Sequence, residues 1–195
     1  MEDLLKGNLV RLSGIDPDEL SQGFARWSRD SEFKRLLDFD PARLHSTKAT
    51  KEWIEKHLES EKNAFWFSIR ALKDDRLLGD IELAVTNWSN ADAFVGLGIG
   101  ERDFWGQGYG TDAMRVILRY GFLELNLRRV TLNVFEYNER AIRSYEKAGF
   151  CCEGRQRQAM QREGRRWDIL YMGILREEWM EQSQNVLSAV LGAGK

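Results

Sequence analysis

The chain has 195 residues, a formal net charge of −2 and 31% charged residues, which suits one domain with a full core. A charge this close to zero argues against a general nucleic-acid binder, and no apolar run approaches the ~20 residues of a membrane span. MEDLLKGN lacks a signal-peptide pattern. The adjacent Cys151 and Cys152 would point to opposite faces of a strand, so we expect reduced thiols in a cytoplasmic protein.

Asn8 to Leu12 reads as a strand. Asp16-Pro17 reads as a helix start, with Asp at the N-cap and Pro at the first helical position. Leu20, Phe24 and Trp27 give that helix one apolar face. The stretch from Asp30 to Ser46 is mixed, acidic at Asp38 and Asp40 and broken by Pro41. A helix from about Thr50 to Ser60 is expected to bury Trp53, Ile54 and Leu58. Phe65 to Ala71 and Leu77 to Val85 form a hairpin, and Asn87 to Asn90 turns into a strand from Phe94 to Ile99. Next comes Trp105-Gly106-Gln107-Gly108-Tyr109-Gly110-Thr111. After Thr111, apolar residues from Ala113 to Leu125 recur at the steps of one helix face. A strand at Val130 to Val134 and a helix at Glu139 to Ala148, ended by Gly149, follow. Cys151 to Met160 and Arg165 to Ile174 form a last hairpin, and a short helix near Leu175 to Glu181 closes the domain. Residues 1–182 are read as one domain and residues 183–195 as a frayed tail. This order implies an α/β (α+β) fold with a mixed sheet flanked by helices.

The glycines carry the first chemical signal. Glycine lets the backbone approach a ligand and adopt left-handed angles. The first turn of a helix offers unpaired N–H groups and partial positive charge. Together they suit a phosphate or pyrophosphate. A P-loop is excluded, because Thr111-Asp112 follows Gly110 where Lys-Ser/Thr would be needed. The dinucleotide fingerprint Gly-x-Gly-x-x-Gly is excluded by the Gly-x-Gly-x-Gly spacing. On the glycines alone, a plain tight turn stays open.

Downstream, Asn133 to Phe150 reads NVFEYNERAIRSYEKAGF. Taken with WGQGYGTDA, it resembles the GNAT-superfamily N-acetyltransferases, in particular the ribosomal-protein alanine acetyltransferase-like (RimJ/RimL-type) branch. The resemblance runs from Gly7 to about Trp179. It implies a splayed central sheet with acetyl-CoA wedged between the Phe94 and Val130 strands. It also implies direct attack by a primary amine, either a protein N-terminal α-amine or a small molecule. Neither motif contains a cysteine that could form an acyl-enzyme.

By this resemblance Gly106, Gln107, Gly108, Tyr109, Gly110 and Thr111 hold the pyrophosphate through backbone amides. Trp105 departs from the family, which often has Arg or Gln just before the first glycine. Leu97, Gly98 and Ile99 are the expected partners of the pantetheine arm, which can pair like an added strand. Asn138, Ile142 and Tyr145 share a helix face. Tyr145 matches the general acid, and Asn138 a residue that contacts the cofactor and positions the helix. The base is less defined, since Phe94 stands where related sequences carry Glu. Glu82 is the candidate, with Glu101 second. A weak base suits an α-amine of pKa about 7.7–8.0 better than a lysine near 10.4.

The same resemblance implies that the Asp30 to Ser46 segment and the tip at Gln161 to Gly164 flank the acceptor cleft, where Asp38 and Asp40 would favour a cationic amine. Trp27, Trp53 and Trp179 read as core, and Trp66, Trp88 and Trp105 as possible pocket walls. His45 and His57 lie apart, so no metal is assigned. Arg155, Arg157, Arg162, Arg165 and Arg166 read as a solvated face without a nucleic-acid partner. A monomer or homodimer is expected. The competing readings are a non-catalytic acyl-CoA sensor and an interaction module on the Arg-rich hairpin.

Overall fold

The computed structural model describes residues 3–182. Helices begin where the capping chemistry puts them. After strand β1 (Val10–Ser13), the Asp16 carboxylate accepts from the backbone N–H of Asp18 and Glu19 and opens helix α1 (Pro17–Trp27). Asp30 caps α2 (Ser31–Leu37) in the same way, so part of the stretch read as mixed is helical. Ser46 caps α3 (Thr47–Ser60), one turn earlier than the expected start at Thr50. There follow β2 (Ala64–Ala71), β3 (Leu77–Asn87), β4 (Asp92–Ile99), a 3₁₀ turn (Arg102–Phe104) and α4 (Tyr109–Leu123). The chain continues through β5 (Arg129–Phe135), α5 (Glu139–Ala148), β6 (Cys151–Arg162) and β7 (Arg165–Leu175). Residues 176–182 are helical, and the expected tail, 183–195, lies outside the described residues.

The strands form one seven-stranded sheet in the order β1-β2-β3-β4-β5-β7-β6, mixed as expected. Every neighbouring pair is antiparallel except β4 and β5. That parallel pair is short. Asp92, Ala93 and Phe94 pair with Arg129, Val130 and Thr131, and β4 and β5 do not pair further along. The Thr131 hydroxyl donates to the Ala93 carbonyl at 3.2 Å at this junction. Past it, β4 stays bonded to β3 and β5 to β7, so each half of the sheet holds on its far side while the facing edges of β4 and β5 part.

Side-chain alternation sorts the two faces. Ile81, Leu83, Ala93 and Val95 join the main core with Met114, Ile117 and Phe122 of α4. The other face carries a smaller core of Leu20, Trp27, Phe33, Ile54, Trp66 and Leu77 beneath α1 to α3. Trp27 is core, and Trp179 packs against the main core at 5.4 Å from Phe122. Two expectations for α3 fail. Trp53 is 53% exposed and Leu58 45% exposed, because α3 meets the rest of the molecule on a narrow stripe through Thr50 and Ile54.

Candidate active site

The splay opens a cleft of about 760 Å³. Its walls are β4 from Phe94 to Ile99, the glycine turn, the end of β5 and the inner face of α5. Phe33, Leu36, Leu37 and Phe39 close it from above. The volume lies within the roughly 300–1,000 Å³ of small-molecule sites.

The glycine turn has the geometry its sequence demands. Gly106 and Gly108 sit at φ +72° and +92°, where a Cβ is strained. Gly108 is the N-cap of α4, so α4 starts at Tyr109 rather than after Thr111. The first-turn N–H groups therefore come from the turn itself and have no acceptor within the helix. Space above Gly106 is open, with nothing within 4 Å of where a Cβ would stand. Gly110 and Thr111 line the cleft too, and the Thr111 hydroxyl meets the Ser144 hydroxyl of α5 at 2.8 Å. The side chains of Gln107 and Tyr109 turn away. Gln107 donates to the Asp103 carbonyl, and Tyr109 is buried edge-on against Phe104 at 4.9 Å. Asp112 puts a carboxylate near this turn, but backbone N–H groups of Asn8, Leu9 and Val10 hold it at 3.2, 2.7 and 3.0 Å. Its negative charge is thereby spent on anchoring β1.

Leu97, Gly98, Ile99, Trp105, Asn138 and Tyr145 all line the cleft. Tyr145 is buried, and its hydroxyl makes no hydrogen bond to another described residue. Burial pushes its pKa up to about 12, with Arg140 pulling slightly the other way. Asn138 has two structural tasks. Its Oδ1 caps α5 by accepting from the Ala141 N–H at 3.2 Å, and its Nδ2 donates to the Leu36 carbonyl of α2 at 3.3 Å. Beside it, the Tyr137 hydroxyl donates to the Arg35 carbonyl at 2.7 Å. These carbonyls belong to the last turn of α2, where no N–H of the same helix is left to donate to them. The roof of the cleft is thus tied to the start of α5.

The carboxylates are distributed differently from the expectation. Glu82 does not line the cleft; it pairs with His57 Nε2 at 2.6 Å. Glu101 is no surface group. It is buried, and bonds from Trp27 and Arg26, with Arg76 alongside, overcome the burial that would raise its pKa and hold it low. Asp38 pairs with Lys34 at 3.1 Å, and Asp40 with Arg43 at 3.5 Å, so neither is free for an amine. The segment and the hairpin tip do meet, since Arg162 reaches the carbonyls of Asp38 and Asp40, and Arg35 pairs with Glu163. Arg155 is neutralised by Glu136 and Asp168. Of the three candidate wall tryptophans only Trp105 lines the cleft. Trp66 is buried under α3, and Trp88 is half exposed and bonded to Asn63.

One carboxylate escaped the sequence reading. Asp80 stands two residues before Glu82 on β3 and faces the same side. Asp80 pairs across the sheet with Gly98, and Glu82 with Gly96. Both glycines line the cleft, and Gly96 has nothing within 4 Å of its Cβ position. Asp80 Oδ1 lies 3.7 Å from the Cβ position of Gly98, while its Oδ2 accepts from Trp66 Nε1 at 2.9 Å. Burial drives its pKa up to about 6; the Trp66 bond opposes this and the Glu82 charge adds to it. The available signal was the alternation Asp80-x-Glu82 opposite Gly96-x-Gly98.

A cleft between two parting parallel strands, with a helix N-terminus at one end and a buried phenol at the other, has the shape and polarity that suit a phosphorylated, extended donor. The family model described as an acetyltransferase (GNAT) domain matches residues 10–151. The chain belongs to the GNAT acetyltransferases and is an acetyl-CoA-dependent N-acetyltransferase. It is similar to the SPbeta prophage-derived uncharacterized N-acetyltransferase YokL of Bacillus subtilis, with 31% identity over 176 residues, 89% of this chain and 93% of that one. The spermidine N(1)-acetyltransferase of Vibrio cholerae is 28% identical over 133 residues, 68% of this chain and 75% of that one. The solved structure of spermidine N-acetyltransferase from Vibrio cholerae with CoA and spermine has the same fold, with a TM-score of 0.77, 23% identity, and coverage of 88% of this chain and 98% of that one. Among the described residues no group of His, Cys, Asp and Glu is placed to hold a metal ion, and no helix is long and apolar enough to cross a membrane.

Proposed function

We propose that the acceptor is a small cationic primary amine, with a polyamine as the leading class. The carrying observation is the open floor at Gly96 beside two carboxylates, Glu82 and Asp80, on the face away from α4. Glu82 attracts the ammonium and Asp80 takes its proton by way of a water. Asp80 suits this task better than Glu82, which is engaged by His57. With a pKa of about 6 it is ionised at neutral pH yet more basic than an ordinary carboxylate. The neutral amine attacks the thioester carbon and a C–N bond forms, the C–S bond breaks, and the proton lost from the amide nitrogen passes to the CoA sulfur, which leaves as the thiol beside Tyr145. The glycine turn takes the pyrophosphate, and the β4 edge at Leu97, Gly98 and Ile99 takes the pantetheine arm. The spermidine acetyltransferases among its relatives support the acceptor class. The resemblance to the ribosomal-protein branch makes a protein N-terminus the competing acceptor. The test is CoA-thiol release with polyamines and with N-terminal peptides. Polyamines are expected to turn over faster. Preference for a free peptide N-terminus would sink the proposal.

A further inference from the structure

Four basic side chains line the cleft, Arg115, Arg140, Arg143 and Lys147. Two of them are engaged by neighbours at the mouth. Arg115 donates to the Lys147 carbonyl at 2.9 Å, and Arg143 pairs with Glu139 at 3.0 Å. Arg140 is different. Its guanidinium lies over the Trp105 ring at 3.6 Å from the centroid and has no ion-pair or hydrogen-bond partner among the described residues. The nearby carboxylates of Asp30 and Glu32 are both taken by Arg102, which also stacks on Trp105 at 4.8 Å. Burial pulls the Arg140 pKa below its ordinary value. A partly desolvated cation without a counter-ion is costly unless a ligand supplies one.

Trp105 immediately precedes Gly106, the first glycine of the turn. Its ring carries a guanidinium from the opposite lip of the cleft to that same spot. A flat guanidinium stacked on an indole keeps its N–H edge free, and that edge matches the paired oxygens of a phosphate. Resting on the reading that the glycine turn takes acetyl-CoA, we propose that Arg140 binds the cofactor pyrophosphate and that Trp105 positions it. The 3′-phosphate then falls to the outer cluster around Arg115 and Lys147.

The test compares wild type, Arg140→Gln and Arg140→Lys with three probes: acetyl-CoA, its 3′-dephospho form and S-acetylpantetheine, the last by thermal shift at millimolar concentration. Arg140→Gln is expected to weaken the first two by the same factor, roughly ten- to hundredfold, and to leave the third unchanged. Arg140→Lys is expected to recover part of the loss, since charge returns without the flat fork. Trp105→Leu should weaken acetyl-CoA several-fold in the wild-type background and not further in Arg140→Gln. A loss confined to acetyl-CoA would move Arg140 to the 3′-phosphate and overturn the inference. So would an equal loss for all three probes, or none. A wild type that binds none of them would overturn the cofactor site itself, a result separate from any behaviour of the variants.

Discussion

At the residue scale, environment separates the two ionisable groups to which the proposed mechanism gives roles. Tyr145 is pushed up to about 12 by burial, well above the roughly 8.5 of a free thiol. Complete proton transfer to a thiolate is therefore uphill, and in the proposed mechanism its hydroxyl donates a hydrogen bond as negative charge develops on sulfur. Tyr145→Phe removes that donor and little volume. A kcat loss of about 10–10³-fold is expected, with the acetyl-CoA Kd within a few-fold of wild type. The wild-type rate should also show no alkaline limb from this phenol up to pH 10. An alkaline limb below pH 10 that disappears in Tyr145→Phe would remove this account. Asp80 is the opposite case. Its carboxyl is raised from 3.8 to about 6 on folding, so the folded state binds the proton more tightly than the unfolded chain. That contribution to stability is fully present below pH 3.8 and is lost as pH rises through about 6. Ionised Asp80 then costs about 3 kcal/mol. Asp80→Asn keeps an acceptor for Trp66 and carries no charge. It should be more stable than wild type at pH 7.5, by up to that amount, and no more stable at pH 3.5, while losing activity. Paired urea titrations at the two pH values check this. Equal stability at pH 7.5 would show that the ionised carboxylate is not costly.

At the element scale, α2 is too short to hold itself and depends on what ties it down. Tyr137 and Asn138 bond the carbonyls of its last turn, and Arg102 pairs with Asp30 and Glu32 at its start. Asn138→Asp separates its two tasks. The aspartate still caps α5, because a side-chain oxygen still accepts from the Ala141 N–H, but it has no N–H to give to Leu36. Global stability should change by less than about 1 kcal/mol, while amides of residues 31–37 exchange faster and substrate KM rises. Unchanged exchange there would mean the tether does not hold the roof. The same element marks the limit of the sequence. The β4–α4 turn and α5 were legible, because Gly106, Gly108, Asn138 and Gly149 are local signals that work within a few residues. Helix α2 was not: its Asp30 cap is visible, but the helix has seven residues and its ties come from residues about 100 positions away. Trp53 misled because an apolar residue at helical spacing does not say how wide the buried stripe is. Glu82 misled because its neighbour His57 comes from another element, and Asp80 became visible only once the register set it against Gly98.

At the scale of the whole molecule, the cleft exists because the sheet is nearly two sheets. β1 to β4 carry α1 and α3 on one side of the splay, and β5 to β7 lie on the other. The direct backbone link is the short junction of Asp92, Ala93 and Phe94 with Arg129, Val130 and Thr131. Beyond it, backbone groups on the facing edges of β4 and β5 have no partner across the gap, and an extended donor with its own amides can supply one. Acetyl-CoA should therefore act as a staple as well as a substrate. Binding to the folded state alone stabilises it by about 2.7 kcal/mol at a hundredfold excess over Kd. The distribution of that gain is the sharper prediction. Hydrogen exchange should slow in three places at once, in residues 95–99, 132–135 and 106–112, and change little in β1, β2 and β6. CoA without the acetyl group should give nearly the same pattern, because the phosphates and the pantetheine arm make the bridge. Protection confined to residues 106–112 would mean that the ligand rests on the glycine turn without entering the splay. The parted strands would then owe their shape to packing alone.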